Sequence, residues 1–454
     1  MYINFDKKSG KALYIQLYEA ICSDIVSGRL LCGMKLPSRR TLSEQLNISQ
    51  NTVDGAYKML VDTGYAISIP RQGYVASFKP SVYIKNTPWE INAPEEVVFS
   101  PNGIDISRIN RASYAKLVRD ISYNDGKDIF SYADKGGEFE LRSALSKYLY
   151  SFRGIKCAPD RIIIGAGAEY LLSSLAALFG SKTAFITENP CETHFYRVLS
   201  SYGHNVITLP LNSEKFDIDA LYKSDGNILF TDPDARFPRS DAMDNNERQS
   251  LLDWAYSADN RYIIENCCDS EIMWDSHMPL YNMDNHGKVI YLGSFSRSFS
   301  PAVKTSYMVL PQELLLLWKN THTYYYALTP KLEQFTLEAL LSKGHFTKHY
   351  KAMRRLYREK RRLLEDCLTS SFGDAVSIYS CSGSTYITAV FKDKTPNEIK
   401  RLTRAGGVKL FSLNSYNIKK ETEPVKDDRL VIGFGDLNRE KIKLGITLIQ
   451  NSLL

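Results

Sequence analysis

Residues 291–307 read Tyr-Leu-Gly-Ser-Phe-Ser-Arg-Ser-Phe-Ser-Pro-Ala-Val-Lys-Thr-Ser-Tyr. The apolar run that leads into this stretch, residues 289–292, gives way to Gly, Ser and Pro, and this change predicts a buried strand that ends in a polar loop. Serine hydroxyls and the cation of Lys304 follow within the loop, and such groups bind phosphate. The stretch therefore predicts a strand followed by an anion-binding loop.

Short apolar runs of the same kind alternate with helical patterns from Phe99 onward. Such alternation favours an α/β domain with a mostly parallel sheet and crossover helices. A long basic helix is predicted over residues 346–368, and a smaller α+β part follows it. The apolar runs predicted as strands are residues 162–164, 183–186, 205–209, 228–231, 262–264, 289–292 and 308–310.

Three segments of this part carry a family resemblance. Residues 132–142 read Tyr-Ala-Asp-Lys-Gly-Gly-Glu-Phe-Glu-Leu-Arg, residues 161–169 read Arg-Ile-Ile-Ile-Gly-Ala-Gly-Ala-Glu, and the 291–307 loop contains Gly-x-Phe-Ser-x-x-x-x-Pro. They resemble the start, the glycine turn and the cofactor-lysine loop of fold-type I pyridoxal-phosphate (PLP) enzymes, as carried by the MocR branch of the GntR regulators. The resemblance implies a homodimer and a fold-type I aminotransferase-like domain over residues 99–454. Its large part is expected at about 99–340 and its small α+β part at about 341–454.

The positions that would face PLP differ from the family pattern. The resemblance places Arg297 where the Schiff-base lysine stands, and a guanidinium keeps its proton and cannot form that bond. It places Glu192 at the stacking tyrosine and Ala235 at a polar residue that faces the ring. Asn266 and Cys268 stand at the acid and the tyrosine that bond the ring nitrogen and ring oxygen. We therefore expect a domain that is not an enzyme, with no catalytic residue and no cofactor, since covalent binding of PLP is disfavoured.

Three alternatives stay open for this pocket. Lys304 replaces the family's phosphate-binding arginine and is a candidate substitute for the Schiff-base lysine, although its loop position favours contact with phosphate. PLP or another anion can bind without a covalent bond. Arg297 and Glu192, if close, would form a buried ion pair that fills the old pocket. The candidate anion or effector site comprises Gly167, Ala168, Ser294, Ser296 and Lys304, the first two at a helix N-terminus.

Residues 1–77 predict a compact helical module that precedes this domain. An amphipathic helix begins at Leu13, and a second helix follows the N-cap candidate Ser38 and ends at Leu46. A third helix over residues 50–63 follows the N-cap candidate Ser49 after a tight turn. Two short helices joined in this way form a helix-turn-helix unit.

Residues 65–69 and 73–76 predict a small hairpin after the third helix. The order of elements, with Gly-x-x-Leu-Pro-Ser-x-Arg-x-Leu at 33–42 and Thr-Val-x-x-Ala-Tyr-x-x-Leu at 52–60, resembles the GntR winged helix-turn-helix over residues 11–77. This resemblance implies that the partner is double-stranded DNA. Phosphates, base edges and the minor groove are the expected targets of Arg39, Arg40, Gln50, Asn51, Thr52, Arg71 and Gly73.

Composition and charge agree with a DNA-binding module beside a larger domain. The chain is 44% hydrophobic and 24% charged, which is usual for a globular protein. Residues 1–79 hold ten Lys/Arg against six Asp/Glu, so a net +4 of the chain's total of +6 lies there. Residues 78–98 contain three prolines and no clear periodicity, which predicts an extended linker.

Targeting and metal signals are absent from the sequence. It has no run of 18 apolar residues, its N-terminus does not resemble a signal peptide, and its eight Cys lack metal-ligand spacing. We expect a cytoplasmic protein with no membrane partner and no metal.

The sequence thus favours a DNA-binding transcriptional regulator whose aminotransferase-like domain mediates dimerisation and senses a small-molecule effector without catalysis. A PLP-binding MocR regulator or an active PLP-dependent transaminase is the main alternative. A dimer that binds DNA and has no effector site is a third.

Overall fold

The computed structural model describes residues 5, 10–26, 29–70, 72–77, 97–124, 129–211, 215–273, 277–321, 327–379, 383–419, 425 and 428–453. The chain divides into two compact units, Met1–Pro94 and Glu95–Leu454, which we call the head and the body. In the described part of the chain, no helix is long and apolar enough to cross a membrane.

The head has the predicted order of helices followed by a hairpin. Its elements are α1 (Leu13–Val26), α2 (Arg39–Leu46), α3 (Gln50–Asp62), β1 (Ala66–Ile69) and β2 (Gly73–Ala76), with β1 and β2 antiparallel. Both predicted caps form: the Ser38 Oγ accepts a hydrogen bond from the Thr41 N–H, and the Ser49 Oγ accepts one from the Thr52 N–H, each at 3.1 Å. These caps satisfy amide groups that a helix leaves unpaired at its start.

The three helices of the head bury one apolar face each. Leu17, Ile21 and Ile25 of α1 recur at helical spacing and pack with Val53 and Leu60 of α3. This shared core fixes α3 and leaves its first turn on the surface.

The main sheet of the body matches the predicted alternation of strands and helices. Its strand order, among the described residues, is β4-β10-β9-β8-β7-β5-β6. The strands from β5 to β9 pair in parallel, whereas β10 is antiparallel to both β4 and β9. The strands are β4 (Ile162–Gly165), β5 (Phe185–Asn189), β6 (Val206–Pro210), β7 (Ile228–Thr231), β8 (Tyr262–Asn266), β9 (Val289–Ser294) and β10 (Ser306–Val309).

Helices pack on the body's sheet through two buried apolar clusters, one containing Leu145 and Tyr291 and the other Leu171 and Ile264. The helices of the large part are α4 (Arg111–Asn124), α5 (Phe139–Arg153), α6 (Ala168–Phe179), α7 (Thr193–Ser201), α8 (Ile218–Lys223), α9 (Asn245–Tyr256), α10 (Leu280–Met283), α11 (Phe295–Ser298), α12 (Gln312–Thr321) and α13 (Lys331–Ser342). The resulting layers confirm the predicted α/β fold.

The C-terminal part has its own antiparallel sheet, in the order β11-β12-β15-β14. The predicted basic helix is present and longer than expected at both ends. The elements are α14 (His345–Phe372), β11 (Val376–Tyr379), β12 (Tyr386–Phe391), α15 (Pro396–Ala405), β13 (Val408–Lys409), β14 (Phe411–Ser412), β15 (Leu430–Gly433) and α16 (Arg439–Leu453).

The predicted linker of residues 78–98 needs one correction. Residues 78–96 lie outside the described residues, but β3 (Val97–Val98) pairs in parallel with β13. Val97 is buried in the apolar cluster of the C-terminal part. The end of the predicted linker is therefore a strand of the body, because Val97 buries its side chain there and both valines pair with β13.

Candidate functional site

The head presents the start of α2 and α3 as a candidate DNA-binding surface. Arg39 is exposed, and its Nη1 donates to Asp54 Oδ1 at 2.7 Å, which ties α2 to α3. The charge of Asp54 and its hydrogen bond raise the pKa of Arg39 above its usual value. Arg40 is 81% exposed and pairs with Glu44, one turn along α2, at 3.0 Å. Exposed pairs of this kind are weak, so Arg40 is the more available cation.

Some of the residues predicted to contact base edges are exposed, whereas others have a structural role in the head. Gln50 and Asn51 are exposed on the first turn of α3. The Thr52 Oγ1 instead lies 2.8 Å from the Ser49 Oγ, so its hydroxyl completes the helix cap. Gly73 begins β2 with φ +94°, a left-handed conformation that favours glycine. Arg71 lies outside the described residues.

The candidate site of the body is a pocket of about 290 Å³ at the carboxyl ends of the parallel strands. Asp232 follows β7, Asn266 ends β8 and Ser294 ends β9, and all three line the pocket. Ligands of open α/β sheets bind at this edge, because successive loops converge there. Residues that complete the wall are Asn102, Ile104, Phe195, Phe237 and Pro301.

Arg297 lies in this pocket and is held by a carboxylate that the sequence reading did not identify. Its Nε donates to Asp269 Oδ1 at 2.6 Å and its Nη2 to Asp269 Oδ2 at 3.1 Å, and Nη2 also donates to Thr385 Oγ1 at 3.3 Å. Burial acts against the charged guanidinium, but the charge and hydrogen bonds of Asp269 outweigh it, and the pKa of Arg297 is raised. Arg297 is therefore a fixed cation in the pocket wall.

The alternative in which Arg297 forms an ion pair with Glu192 is wrong, because Arg297 pairs with a different carboxylate. The Glu192 Oε2 lies 3.3 Å from His194 Nε2, and Arg297 pairs with Asp269. Burial raises the pKa of Glu192, while the nearby charges of His194 and Arg297 oppose this rise. The pocket remains open because the Arg297 pair runs along its wall.

The predicted anion site is assembled around the start of α6. Gly167 is the N-cap of α6 with φ +99°, and Ala168 is its first residue. The Lys304 Nζ lies 4.0 Å from Glu169 Oε1, and the Lys304 side chain is 66% exposed. Ala168, Glu169 and Lys304 all line the pocket. A helix N-terminus beside a lysine favours an anion, whereas Glu169 opposes one.

The two serines of this site differ in how they are used. The Ser294 Oγ accepts hydrogen bonds from the Ser296 N–H at 3.2 Å and the Ser306 Oγ at 2.8 Å, so its own proton can be donated. The Ser296 Oγ donates to the Val303 carbonyl at 3.0 Å and so closes the loop between residues 296 and 303. Ser296 must break that bond before it can bind an anion.

The structure also shows where the other residues that differ from the family pattern lie. Asn266 and Cys268 line the pocket, and the Asn266 Oδ1 accepts a hydrogen bond from the Cys268 N–H at 3.4 Å. Burial, together with nearby acids, raises the pKa of the Cys268 thiol. Ala235 is buried and packs against Met273, and its place beside a ring stays a prediction.

Asp232 is a pocket carboxyl that the sequence reading missed. Its Oδ1 accepts the Ala235 N–H at 3.2 Å. Burial and the charges of Asp269 and Asp234 raise the pKa of Asp232 well above its usual value. The available signal was its position directly after a buried parallel strand.

Within the described ranges, no cluster of three His, Cys, Asp or Glu residues suited to a metal ion occurs.

Two family models match the chain in the order of the head and the body. The model of bacterial regulatory proteins of the gntR family matches residues 13–75, and that of aminotransferase class I and II matches residues 111–422.

Curated relatives match over nearly the whole chain. The HTH-type transcriptional regulator YdeL of Bacillus subtilis is 31% identical over 96% of this chain and 96% of its own. The probable rhizopine catabolism regulatory protein MocR of Rhizobium meliloti is 24% identical over 99% and 95%. The pyridoxine biosynthesis transcriptional regulator PdxR of Corynebacterium glutamicum is 24% identical over 96% and 95%.

Solved structures share the fold of the body. An archaeal alanine:glyoxylate aminotransferase covers 78% of this chain and 90% of its own, with 19% identity and a TM-score of 0.69. The kynurenine aminotransferase of Pyrococcus horikoshii, solved in complex with PMP, covers 80% and 91%, with 18% identity and a TM-score of 0.70.

These findings contradict the expectation that the domain has no cofactor. The aminotransferase model spans the pocket, a structural neighbour is complexed with PMP, and a relative along the whole chain is named for pyridoxine biosynthesis. The expectation gave too much weight to the missing lysine, since phosphate and ring contacts bind a cofactor without it.

The order of domains and the relatives along the whole chain lead to one assignment. The chain belongs to the GntR family of bacterial regulatory proteins, in the MocR branch, where an aminotransferase-like domain follows the helix-turn-helix.

Proposed function

We propose that this chain is a homodimeric transcriptional regulator whose pocket binds a phosphorylated pyridine of the PLP class as an effector, without catalysing transamination. The observation that carries the proposal is the coexistence of two features in one pocket. One wall has the α6 N-terminus and Lys304, and another has Arg297 locked on Asp269. The first suits a phosphate, and the second lacks the amine that covalent chemistry requires.

The residues present fit a cofactor of this class in part. Ala168 and Lys304 would hold its phosphate, with Ser294 as a further donor. The Asp232 carboxyl also lines the pocket, and burial with nearby acids raises its pKa, which favours the protonated form that can donate a hydrogen bond. PLP in a complete site supplies an electron sink for reactions at an amino group. Asn266 is neutral and cannot hold the negative charge that such a sink uses at the ring nitrogen, which supports an effector role.

Equilibrium dialysis with PLP, PMP and pyridoxal tests this proposal. We expect reversible binding of both phosphorylated compounds, and binding at least about tenfold weaker for pyridoxal, which lacks the charge-assisted phosphate contacts. Lys304→Gln should weaken PLP binding to a similar degree, whereas Lys156→Gln, an exposed lysine remote from the pocket lining, should not. Intact mass after borohydride treatment should equal that of the untreated chain. A PLP adduct, or equal binding of pyridoxal, would contradict the proposal.

The DNA half of the proposal is tested at Arg40. Because Arg40 is exposed and weakly paired, we expect Arg40→Ala to weaken binding of any duplex and to reduce the slope of log K against log salt by about 0.9. Asn51→Ala should instead alter the preference among sequences. Anisotropy titrations at several salt concentrations measure the affinity, its salt slope and the sequence preference. Sedimentation of the protein without DNA should give twice the chain mass. An unchanged slope for Arg40→Ala would exclude a phosphate contact.

A further inference from the structure

The long helix α14 carries a concentration of positive charge that the fold and the pocket of the body do not account for. Residues 348–362 hold eight Lys/Arg and one Glu, an excess of +7, while the whole 454-residue chain has a net charge of +6. The rest of the chain is therefore slightly acidic as a whole. This charge is far from the predicted DNA-binding residues in sequence.

Three of these cations have structural partners in the body. Lys360 is buried, and its Nζ donates to Asp105 Oδ2 at 2.6 Å. Arg361 pairs with Glu365 at 2.7 Å, and the Arg354 Nε donates to the Glu271 carbonyl at 2.8 Å. Ordinary packing accounts for these three.

The other five cations form a single exposed stripe, which we call the basic stripe. They are spaced three, four, three and four residues apart, which places them on one face of a helix. The opposite face is buried through residues such as Tyr350, Met353 and Tyr357, so the stripe faces solvent. Its members are Lys348, Lys351, Arg355, Arg358 and Arg362.

One carboxylate, Glu359, lies among residues 348–362 of the basic stripe. Within the part of the chain that the structure describes, no carboxylate lies at ion-pair distance from Lys348, Lys351, Arg355 or Arg362. Like charges three or four residues apart on one helix face destabilise the helix. A polyanion laid along the stripe would relieve this repulsion.

We propose that the basic stripe is a second DNA-binding surface, which contacts the phosphate backbone of duplex DNA independently of its sequence. Its first and last cations are 14 residues apart in sequence. This separation corresponds to about 21 Å of helix, the length of about six base-pair steps of 3.4 Å. Lysine and arginine on an exposed helix contact phosphates without reading bases. The inference rests on the proposed function, since it assigns a further contact to the same DNA partner.

Two matched variants of the full chain test the inference. The stripe variant carries Lys348→Gln, Lys351→Gln, Arg355→Gln and Arg362→Gln. The control carries Lys156→Gln, Lys182→Gln, Lys223→Gln and Lys441→Gln, which are exposed lysines scattered over the body. Both lose four positive charges, so a difference between them reports position rather than net charge. Circular dichroism and thermal unfolding establish that both are folded.

The probe is a random-sequence duplex of about 60 base pairs, titrated from about 0.05 to 0.2 M salt. We expect the stripe variant to bind at least about tenfold more weakly than the control at low salt, with a slope of log K against log salt smaller by about 2–4. If the unchanged chain binds no duplex, the proposed function itself fails. If it binds and the two variants have equal affinities and slopes, only the role of the basic stripe is overturned.

Vesicles containing phosphatidylserine provide a second probe, because an anionic membrane also attracts a basic helix face. The inference requires that the stripe substitutions reduce duplex binding more than vesicle binding. Loss of vesicle binding with unchanged duplex binding would assign the stripe to a membrane and overturn the inference.

Discussion

The pairing of Arg297 with Asp269 is the residue-level feature that most distinguishes this pocket. Both side chains are mostly buried, at 20% and 23% exposure, and two hydrogen bonds join them. A bidentate pair with little solvent contact is geometrically specific, and removing one partner leaves a charge without its counter-ion. The pair therefore holds the pocket wall in place.

We expect Asp269→Asn to lower the free energy of unfolding by about 1–3 kcal/mol, because Arg297 keeps its charge in a desolvated position. Arg297→Gln together with Asp269→Asn should recover part of this loss, since no charge is then left unpaired. Urea unfolding of the wild type, both single variants and the double variant measures the coupling. Strictly additive effects of the two changes would show that the pair contributes no coupling energy.

At the scale of elements, the start of α3 combines a structural cap with a candidate DNA surface. Ser49 caps the helix through the Thr52 N–H, and the exposed Gln50 and Asn51 follow immediately. The geometry of the surface residues therefore depends on the cap. The basic stripe on α14 is the contrasting case, since its helix is held by a buried face along its whole length.

Ser49→Ala should destabilise the head by about 1 kcal/mol, because the Thr52 N–H loses its side-chain acceptor. Ser49→Asp restores a good cap and should recover the stability, but its negative charge near DNA phosphates should weaken duplex binding. Thermal unfolding and anisotropy titration of both variants separate the two effects. Tight duplex binding by Ser49→Asp would place DNA away from the start of α3.

At the scale of the whole molecule, buried carboxyl groups set the direction of the pH dependence. Burial raises the pKa of several of them, and that of Glu271 reaches about 7. A carboxyl with a folded pKa above its unfolded value contributes stability below the unfolded pKa, and this contribution is lost as the pH rises through the folded pKa. The pKa is also raised for Glu188, Glu192, Asp232, Asp241, Glu265 and Glu333.

We therefore expect the free energy of unfolding to fall between about pH 5 and pH 8. Glu271→Gln should reduce this fall by roughly 1–3 kcal/mol, because an amide does not ionise. Near pH 4 the titration of Glu271 should contribute little to the difference in free energy of unfolding between the variant and the wild type. Urea unfolding at a series of pH values measures the difference, and parallel curves for the two proteins would refute the assignment to Glu271.

Much of the architecture followed from local sequence patterns. Each predicted apolar run of the body forms a strand, and Ser38 and Ser49 cap the helices that they were expected to cap. Strand alternation, helical spacing and capping act between residues near in sequence, so the sequence carries them directly. The family resemblance alone placed Asn266, Cys268, Ser294, Arg297 and Lys304 at one site, and all five line the pocket.

The partners within the pocket required the tertiary structure. Asp269 and Arg297 are 28 residues apart, and the parallel pairing of β8 with β9 brings their loops together. Likewise, the Ser296 hydroxyl donates to the Val303 carbonyl, and Ala235 packs against Met273. By itself the sequence determined the family, the order of the domains and the chemical types present at the pocket. Only the tertiary structure decided which of those groups pair and which remain available, because side-chain pairing depends on distances between strands and loops that no local pattern encodes.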